Sequence, residues 1–375
     1  MAEPTASSLL TTPASPTSKG PPMLSPSLHP VYAASSLIPT LPGGDFESEG
    51  FEGNEKRLEI DLVPISSTKP IDFPRKFWDD ILDLVCAKIL DHQSTSTMDG
   101  YILSESSLFV TANRITLITC GTTVLLNCLE MLLNGLKEKG RQVEYVQYSR
   151  KNFSFPWQQP AMHRSIAAEY ITLKTNLPEG SPYILGPLDK DHYFMYVMDK
   201  INRDSREETD MQLNVVMYGI CPDVSKQFYS DVDSTTSELT ATIRKNTGLS
   251  KLFDSCEVVQ DQVWVPCGYS ANAMTGVDYF TTHITPEQHC SYASFETNAC
   301  YDSYTPLVSD VLEIFKPKKC TLVMLVDEES LAGQTCRRGE SIGDCAYPGY
   351  KMSGRARNDF APGYFCIKVD LLASA

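Results

Sequence analysis

The sequence predicts an α+β sandwich, and three features predict it. Short β-rich runs follow one another in series along most of the chain. Tight polar turns such as Thr111-Ala112-Asn113-Arg114 separate several of them, as antiparallel hairpins require. Helical periodicity is confined to a few stretches, so the regular strand–helix alternation of a parallel sheet is absent.

Taken in order, residues 1–45 stand apart. Nine prolines among Ser, Thr and Ala, with little charge, cannot bury enough apolar surface to offset ordering entropy. A disordered tail is expected there. Residues 46–375 are expected to form one domain, long enough to bury about 75% of its extended-chain surface. Phe77, Ile81, Leu84 and Val85 repeat at helical spacing behind Pro74. A second helix is expected from a cap at Thr122, through a stripe of Leu125, Leu129, Leu132, Leu133 and Leu136, to a stop at Gly140. Met162–Asn176 and Tyr304–Phe315 complete the set. Strands are expected at Leu108–Val110, Ile115–Thr119, Val143–Tyr148, His192–Met198 and Gln212–Tyr218. Others follow at Val258–Val265, Tyr279–Ile284, Ser291–Thr297 and Thr321–Val326. Residues 328–358, rich in Gly and charge, read as a long surface excursion. No short-period repeat is visible.

Composition narrows the function. The formal net charge of −15 argues against a binder of the nucleic-acid backbone and favours a neutral or cationic small ligand. None of the 12 cysteines forms a C-x-x-C pair, so no zinc knuckle is indicated, and without a secretory segment ahead of them no disulfide framework is expected. The absence of a secretory segment and of any bilayer-length apolar run gives a cytoplasmic, membrane-free expectation. Phosphate loops, nucleophile elbows and zinc-protease motifs are missing.

What stands out is Leu103-Ser104-Glu105-Ser106-Ser107-Leu108-Phe109-Val110, followed by Thr119-Cys120-Gly121-Thr122-Thr123. Upstream lies Phe51-Glu52-Gly53-Asn54-Glu55-Lys56. Downstream come Pro266-Cys267-Gly268-Tyr269-Ser270, His283-Ile284-Thr285-Pro286-Glu287 and Ser294-Phe295-Glu296-Thr297-Asn298. Singly, each is an ordinary turn or buried thiol. In this order, from about Phe51 to about Lys316, they resemble eukaryotic S-adenosylmethionine decarboxylase, a pyruvoyl enzyme of polyamine synthesis.

The chemistry has its own logic. Removing CO₂ from an α-amino acid leaves a carbanion that needs an electron sink, and no side chain offers an electrophilic carbonyl. The resemblance implies that the chain makes one, cutting itself at Glu105–Ser106 into residues 1–105 (β chain) and 106–375 (α chain). Ser106 would become a pyruvoyl group that forms a Schiff base with the substrate amine. The product, decarboxylated S-adenosylmethionine, is the aminopropyl donor for spermidine and spermine. By the same resemblance His283 is the processing base and Ser270 its assistant. Cys120 is the proton donor, and Glu52 and Glu55 support catalysis and processing. Phe51 and Trp264 offer aromatic faces to adenine and sulfonium, and Glu287 a carboxylate to the ribose hydroxyls.

The family's fold is a four-layer αββα sandwich with two central antiparallel sheets. Its animal members are homodimers of the cleaved αβ unit activated by putrescine; its plant members are monomers that need none. Glu59, Asp210 and Glu296 match the acidic putrescine pocket, whereas Asn214 replaces a glutamate and Ile118 a lysine. Arg57 stands where plant members carry an internal cation, which implies reduced dependence on the diamine. Leu325 lacks a histidine that plant members carry. The rival expectation is a catalytically dead paralogue acting as an activating subunit, which would have no need of Glu105, Ser106, Cys120, Ser270 and His283 together. A Cys-rich metal-binding module has no supporting ligand spacing.

Overall fold

The structure is a computed structural model describing residues 50–201, 211–231, 235–328, 330, 333–334, 341–360 and 363–374. The expected tail at residues 1–45 lies outside the described residues, as does Asp210.

Two eight-stranded antiparallel sheets form the centre. The first holds β1 (Lys56–Leu62), β2 (Ile89–Ser94), β3 (Met98–Leu103), β4 (Ser106–Thr111), β5 (Arg114–Thr119), β6 (Val143–Lys151), β7 (Ser181–Leu185) and β8 (Tyr193–Asp199), in the order 2-3-4-5-1-6-8-7. The second holds β9 (Met211–Tyr218), β10 (Val258–Val263), β11 (Tyr269–Thr275), β12 (Asp278–Thr285), β13 (Tyr292–Thr297), β14 (Lys319–Asp327), β15 (Tyr350–Asp359) and β16 (Tyr364–Ala373). Its order, 10-11-12-13-9-14-16-15, repeats the first with each number raised by eight. The two halves are thus one topology used twice, a repeat far too long and too diverged for short-period self-similarity to reveal.

Helices cover the outer faces. Trp78, Ile81, Leu82 and Val85 of α1 (Arg75–Val85), Leu129 and Leu132 of α2 (Leu129–Glu138) and Leu173 of α3 (Ile166–Asn176) share one core with Leu58, Ile60 and Leu62 of β1. Ile243 of α4 (Ser237–Thr247) and Val308, Val311 and Leu312 of α5 (Thr305–Phe315) share another with the second sheet. The expected four-layer arrangement is therefore present. The inner layer is different in kind. Because side chains alternate across a strand, Arg57, Glu59 and Asp61 point away from the helices, and all three are buried. Ser107, Gln147, Asn272, Thr281, His283 and Glu296 join them in a polar layer between the sheets. No described helix is long and apolar enough to cross a membrane.

Local expectations need some corrections. Thr122 caps no helix: a 3₁₀ turn at Leu125–Cys128 precedes α2. The helix expected from Met162 begins at Ile166, because the Ser165 side chain accepts from the Ala168 N–H at 3.1 Å and sets the start there. Helix α4, not expected, is capped by Thr236 and closed by Gly248 at φ 87°. The excursion at 328–358 is in part the edge strand β15 paired on β16, whose alternating exposure hid it behind a polar composition.

Candidate active site

The site begins at a two-residue hairpin. Leu103 pairs with Ser106, leaving Ser104-Glu105 as the loop between β3 and β4. Ser106 sits at φ 127°, a region L-residues other than glycine avoid, at a typical cost of about 1–3 kcal/mol. The carbonyl before it is held from outside: Glu105 O accepts from the Cys120 N–H at 3.0 Å and lies 3.5 Å from its Sγ. The buried Ser106 hydroxyl donates to Glu55 Oε1 at 3.3 Å. A strained link, a polarised carbonyl and a hydroxyl on a carboxyl group thus meet at one peptide bond.

The facing sheet supplies His283, whose Nδ1 lies 2.9 Å from Ser270 Oγ. Its Nε2 lies 2.9 Å from Ser107 Oγ and 3.0 Å from Thr281 Oγ1. The network dictates the tautomer. The Tyr101 carbonyl can only accept, so Asn272 turns its Nδ2 to it at 3.0 Å. Asn272 Oδ1 then takes the protons of Ser107 and Thr281, at 2.7 and 2.9 Å. Their lone pairs face His283 Nε2, which must carry the hydrogen. The lone pair is on Nδ1, toward Ser270, whose oxygen accepts in turn from Trp264 Nε1 at 3.3 Å. Burial lowers the imidazole to about 3. His283 is therefore neutral near pH 7, the form a base requires. Glu55, 4.0 Å from Nε2, is pushed up to about 8 by burial and then by the charge of Glu296.

On the other side of the Glu105–Ser106 link, burial, and then the charges of Glu105 and Glu55, push the Cys120 thiol well above its ordinary value. It keeps its proton. The Glu105 carboxyl is raised to about 7 by burial against the pull of Lys56. Glu52 is fastened by backbone donors, Asn54 N–H at 3.0 Å and Phe155 N–H at 2.7 Å, and its own carbonyl accepts from Gly121 N–H at 2.9 Å. Burial nevertheless raises its pKa. A Cβ on Gly121, at φ 59°, would stand 3.1 Å from the Phe51 ring and 3.2 Å from Glu105 Oε2, so the Phe51 ring and the Glu105 carboxyl group both lie against Gly121. The Phe51 N–H donates to Glu287 Oε2 at 3.3 Å. Trp264 reaches the site through Ser270.

Arg57 occupies the middle of the inter-sheet layer. Its Nη2 meets Glu59 at 2.5 Å and Tyr279 OH at 3.1 Å, and its Nε meets Glu296 at 2.7 Å. Burial works against the charge, but Glu59, Tyr279 and Glu296 hold its pKa well above the usual guanidinium value. Asn214 donates to the remaining oxygen of Glu296 at 2.8 Å. Arg114 closes the layer with two bonds to Asp61, at 2.6 and 2.8 Å.

Sequence reasoning passed over Lys56, Ser107, Asn272 and Thr281. Lys56 Nζ donates to Gly121 O at 3.0 Å and Gln159 Oε1 at 3.3 Å, and burial lowers it to about 8. The signal was a lysine in phase with Leu58, Ile60 and Leu62, on the apolar face of a strand. Asn272 and Thr281 had the matching signal, polar residues in phase with Ser270 and His283.

A self-processing α+β enzyme is the class that this fold and this hairpin define. Residues 48–370 match the family model for adenosylmethionine decarboxylase, and the chain belongs to that family. It is 39% identical over 330 residues to the S-adenosylmethionine decarboxylase proenzyme of Trypanosoma brucei brucei, covering 87% of this chain and 89% of that protein. The Leishmania donovani proenzyme is 40% identical, covering 87% and 86%, and that of Xenopus laevis 35%, covering 78% and 88%. Among solved structures, the T. brucei AdoMetDC-delta26 monomer aligns with a TM-score of 0.59 at 38% identity, covering 72% of this chain and 99% of that one.

Proposed function

We propose that this chain, a decarboxylase by family, acts on S-adenosylmethionine after building its own pyruvoyl group from Ser106. The observation that carries the proposal is the Glu105–Ser106 link: positive φ at a serine, its preceding carbonyl held by the Cys120 N–H, its hydroxyl on Glu55.

Glu55, when ionised, takes the Ser106 hydroxyl proton as Oγ attacks the Glu105 carbonyl carbon. The C–N bond breaks, an ester forms and the amine is freed. The Cys120 N–H stabilises the charge that grows on the Glu105 oxygen. His283, neutral and with its lone pair on Nδ1 beside Ser270, is the base for the Ser106 α-proton; loss of that proton breaks the Cβ–O bond and releases the Glu105 carboxylate. Water then replaces the nitrogen, which leaves as ammonia. The finished pyruvoyl group supplies an electrophilic carbonyl that accepts electrons as CO₂ leaves. Phe51 and Trp264 would hold the adenine and sulfonium, Glu287 the ribose, and Cys120, with its proton retained, would protonate the former α-carbon.

Arg57 fills the acidic layer with a permanent cation, which supports activity without added putrescine. A denaturing gel with a CO₂-release assay tests the proposal. Active protein runs as chains 1–105 and 106–375, whereas Ser106→Ala gives one uncut chain and no CO₂. Turnover by that variant refutes the assignment, and an uncut wild-type chain from folded protein favours the activating-paralogue reading.

A further inference from the structure

The turn between β12 and β13 carries three donors that the decarboxylase chemistry does not use together. Glu287, His289 and Cys290 present a carboxylate oxygen, an imidazole nitrogen and a thiol sulfur, all within 4.8 Å of one another. Cys290 Sγ lies 3.0 Å from Glu287 Oε2, and His289 Nε2 lies 3.8 Å from the same oxygen. The edges of a tetrahedron around an ion with bonds of about 2.0–2.3 Å are about 3.3–3.8 Å, so these separations bracket them and small side-chain shifts close the site.

The approach of the segment leading into β1 adds a second observation. A Cβ at Gly50 would fall 2.3 Å from Cys290 Sγ and 3.2 Å from His289 Nε2, so both donors converge on one place that only glycine leaves clear. The donor set is mixed: thiolate favours soft ions, imidazole borderline ones, carboxylate tolerates both. Together they select Zn²⁺ or Cd²⁺ over Mg²⁺ or Ca²⁺. The exposed flank of His289 gives an ion entry from solvent and leaves the fourth position to water.

We propose that Glu287, His289 and Cys290 form a zinc-class site whose occupation excludes substrate. The exclusion rests on the reading of Glu287 as the ribose acceptor, since one carboxylate cannot serve both. On binding, the Cys290 S–H bond gives way to a metal–sulfur bond and its proton leaves to solvent. The metal is therefore an inhibitor competitive with S-adenosylmethionine, not a cofactor.

The test uses the cleaved, full-length protein. Cd²⁺ titration, followed by the thiolate-to-metal absorption band, reads binding without turnover, and calorimetry repeats it with Zn²⁺. His289→Gln, which removes no thiol, should weaken the tightest event at least tenfold while retaining parental metal-free turnover. Cys290→Ala should abolish its absorption band. Adding S-adenosylmethionine should displace the bound ion, and Zn²⁺ should raise the apparent KM with kcat unchanged. Parental affinity in both variants overturns the site. Metal binding that neither substrate nor KM responds to overturns the exclusion. A chain that binds Cd²⁺ through these residues yet releases no CO₂ would refute the decarboxylase reading and leave the metal site standing.

Discussion

Replacing Arg57 with leucine tests the claim that the inter-sheet layer carries its own activator. Its guanidinium lies 2.5 Å from Glu59 and 2.7 Å from Glu296, with arginine and both carboxylates almost fully buried. At an effective dielectric of about 20, each attraction is worth roughly 6 kcal/mol gross, most of it offset by desolvation. Removing one partner strands the others, at a net loss of about 3–5 kcal/mol. With an unfolding entropy of about 2.1 cal/mol/K per residue over about 330 residues, that is a fall in Tm of about 4–7 °C. A kinetic effect accompanies it. Glu296 already helps to raise Glu55; without Arg57 its charge is unopposed, and each further unit at Glu55 leaves about tenfold less carboxylate at pH 7 to accept the Ser106 proton. Self-cleavage of Arg57→Leu, followed on gels, should therefore slow at least tenfold. Putrescine, with two ammonium groups to place between Glu59 and Glu296, should restore both cleavage and Tm. The reasoning fails if the variant matches the parent, or if the parent itself is strongly stimulated by putrescine.

Two further outcomes follow from the same geometry. Because only ionised Glu55 can accept the proton and its pKa is about 8, wild-type cleavage should rise about tenfold from pH 7 to pH 9, the carboxylate fraction growing from about 0.09 to about 0.9; a flat profile removes Glu55 from that role, as does unchanged cleavage in Glu55→Gln. Cys120→Ala keeps the backbone N–H on Glu105 O, so the chain should still cut itself, while CO₂ release falls by about 10²–10⁴ for want of the thiol proton; loss of cleavage would show that the side chain, not the amide, organises that link.

How much of this was legible beforehand depends on which physical signal each element emits. The helices at Thr305–Phe315 and Arg75–Val85 announce themselves by a single apolar stripe. Strands such as β12 do so by β-branched and aromatic content. Strand β1 reads KRLEIDL, and its charged half suggests a solvated face. In fact Arg57, Glu59 and Asp61 are buried, because a second sheet with its own Glu296, Tyr279 and Asn214 completes their pairing. No local window contains that partner: Arg57 and Glu296 are 239 residues apart. The same distance hides the tautomer of His283, which depends on Asn272, Ser107 and Tyr101 from both sheets. The motif residues were legible as a set only through their resemblance to a family, whereas Lys56 was passed over although its phase with Leu58 and Ile60 put a lysine on the apolar face of the strand.

The hairpin poses a sharper question: three serines crowd one turn, and the proposed cut falls at only one of them. Ser104 is disqualified by its partner, since its hydroxyl accepts from the Lys88 N–H at 3.0 Å across the β2–β3 pairing, away from the polar layer. Ser107 has the histidine, but its proton is committed to Asn272 at 2.7 Å. Ser106 alone combines a φ of 127° with an upstream carbonyl drawn toward an N–H outside its own hairpin. Of the peptide bonds preceding these three hydroxyls, it is therefore Glu105–Ser106 whose ground state is raised by backbone strain while the charge of the transition state has a donor already in place. Neither factor suffices alone. Strain without the donor would relax into an ordinary turn, and a donor on an unstrained carbonyl would be one more sheet hydrogen bond.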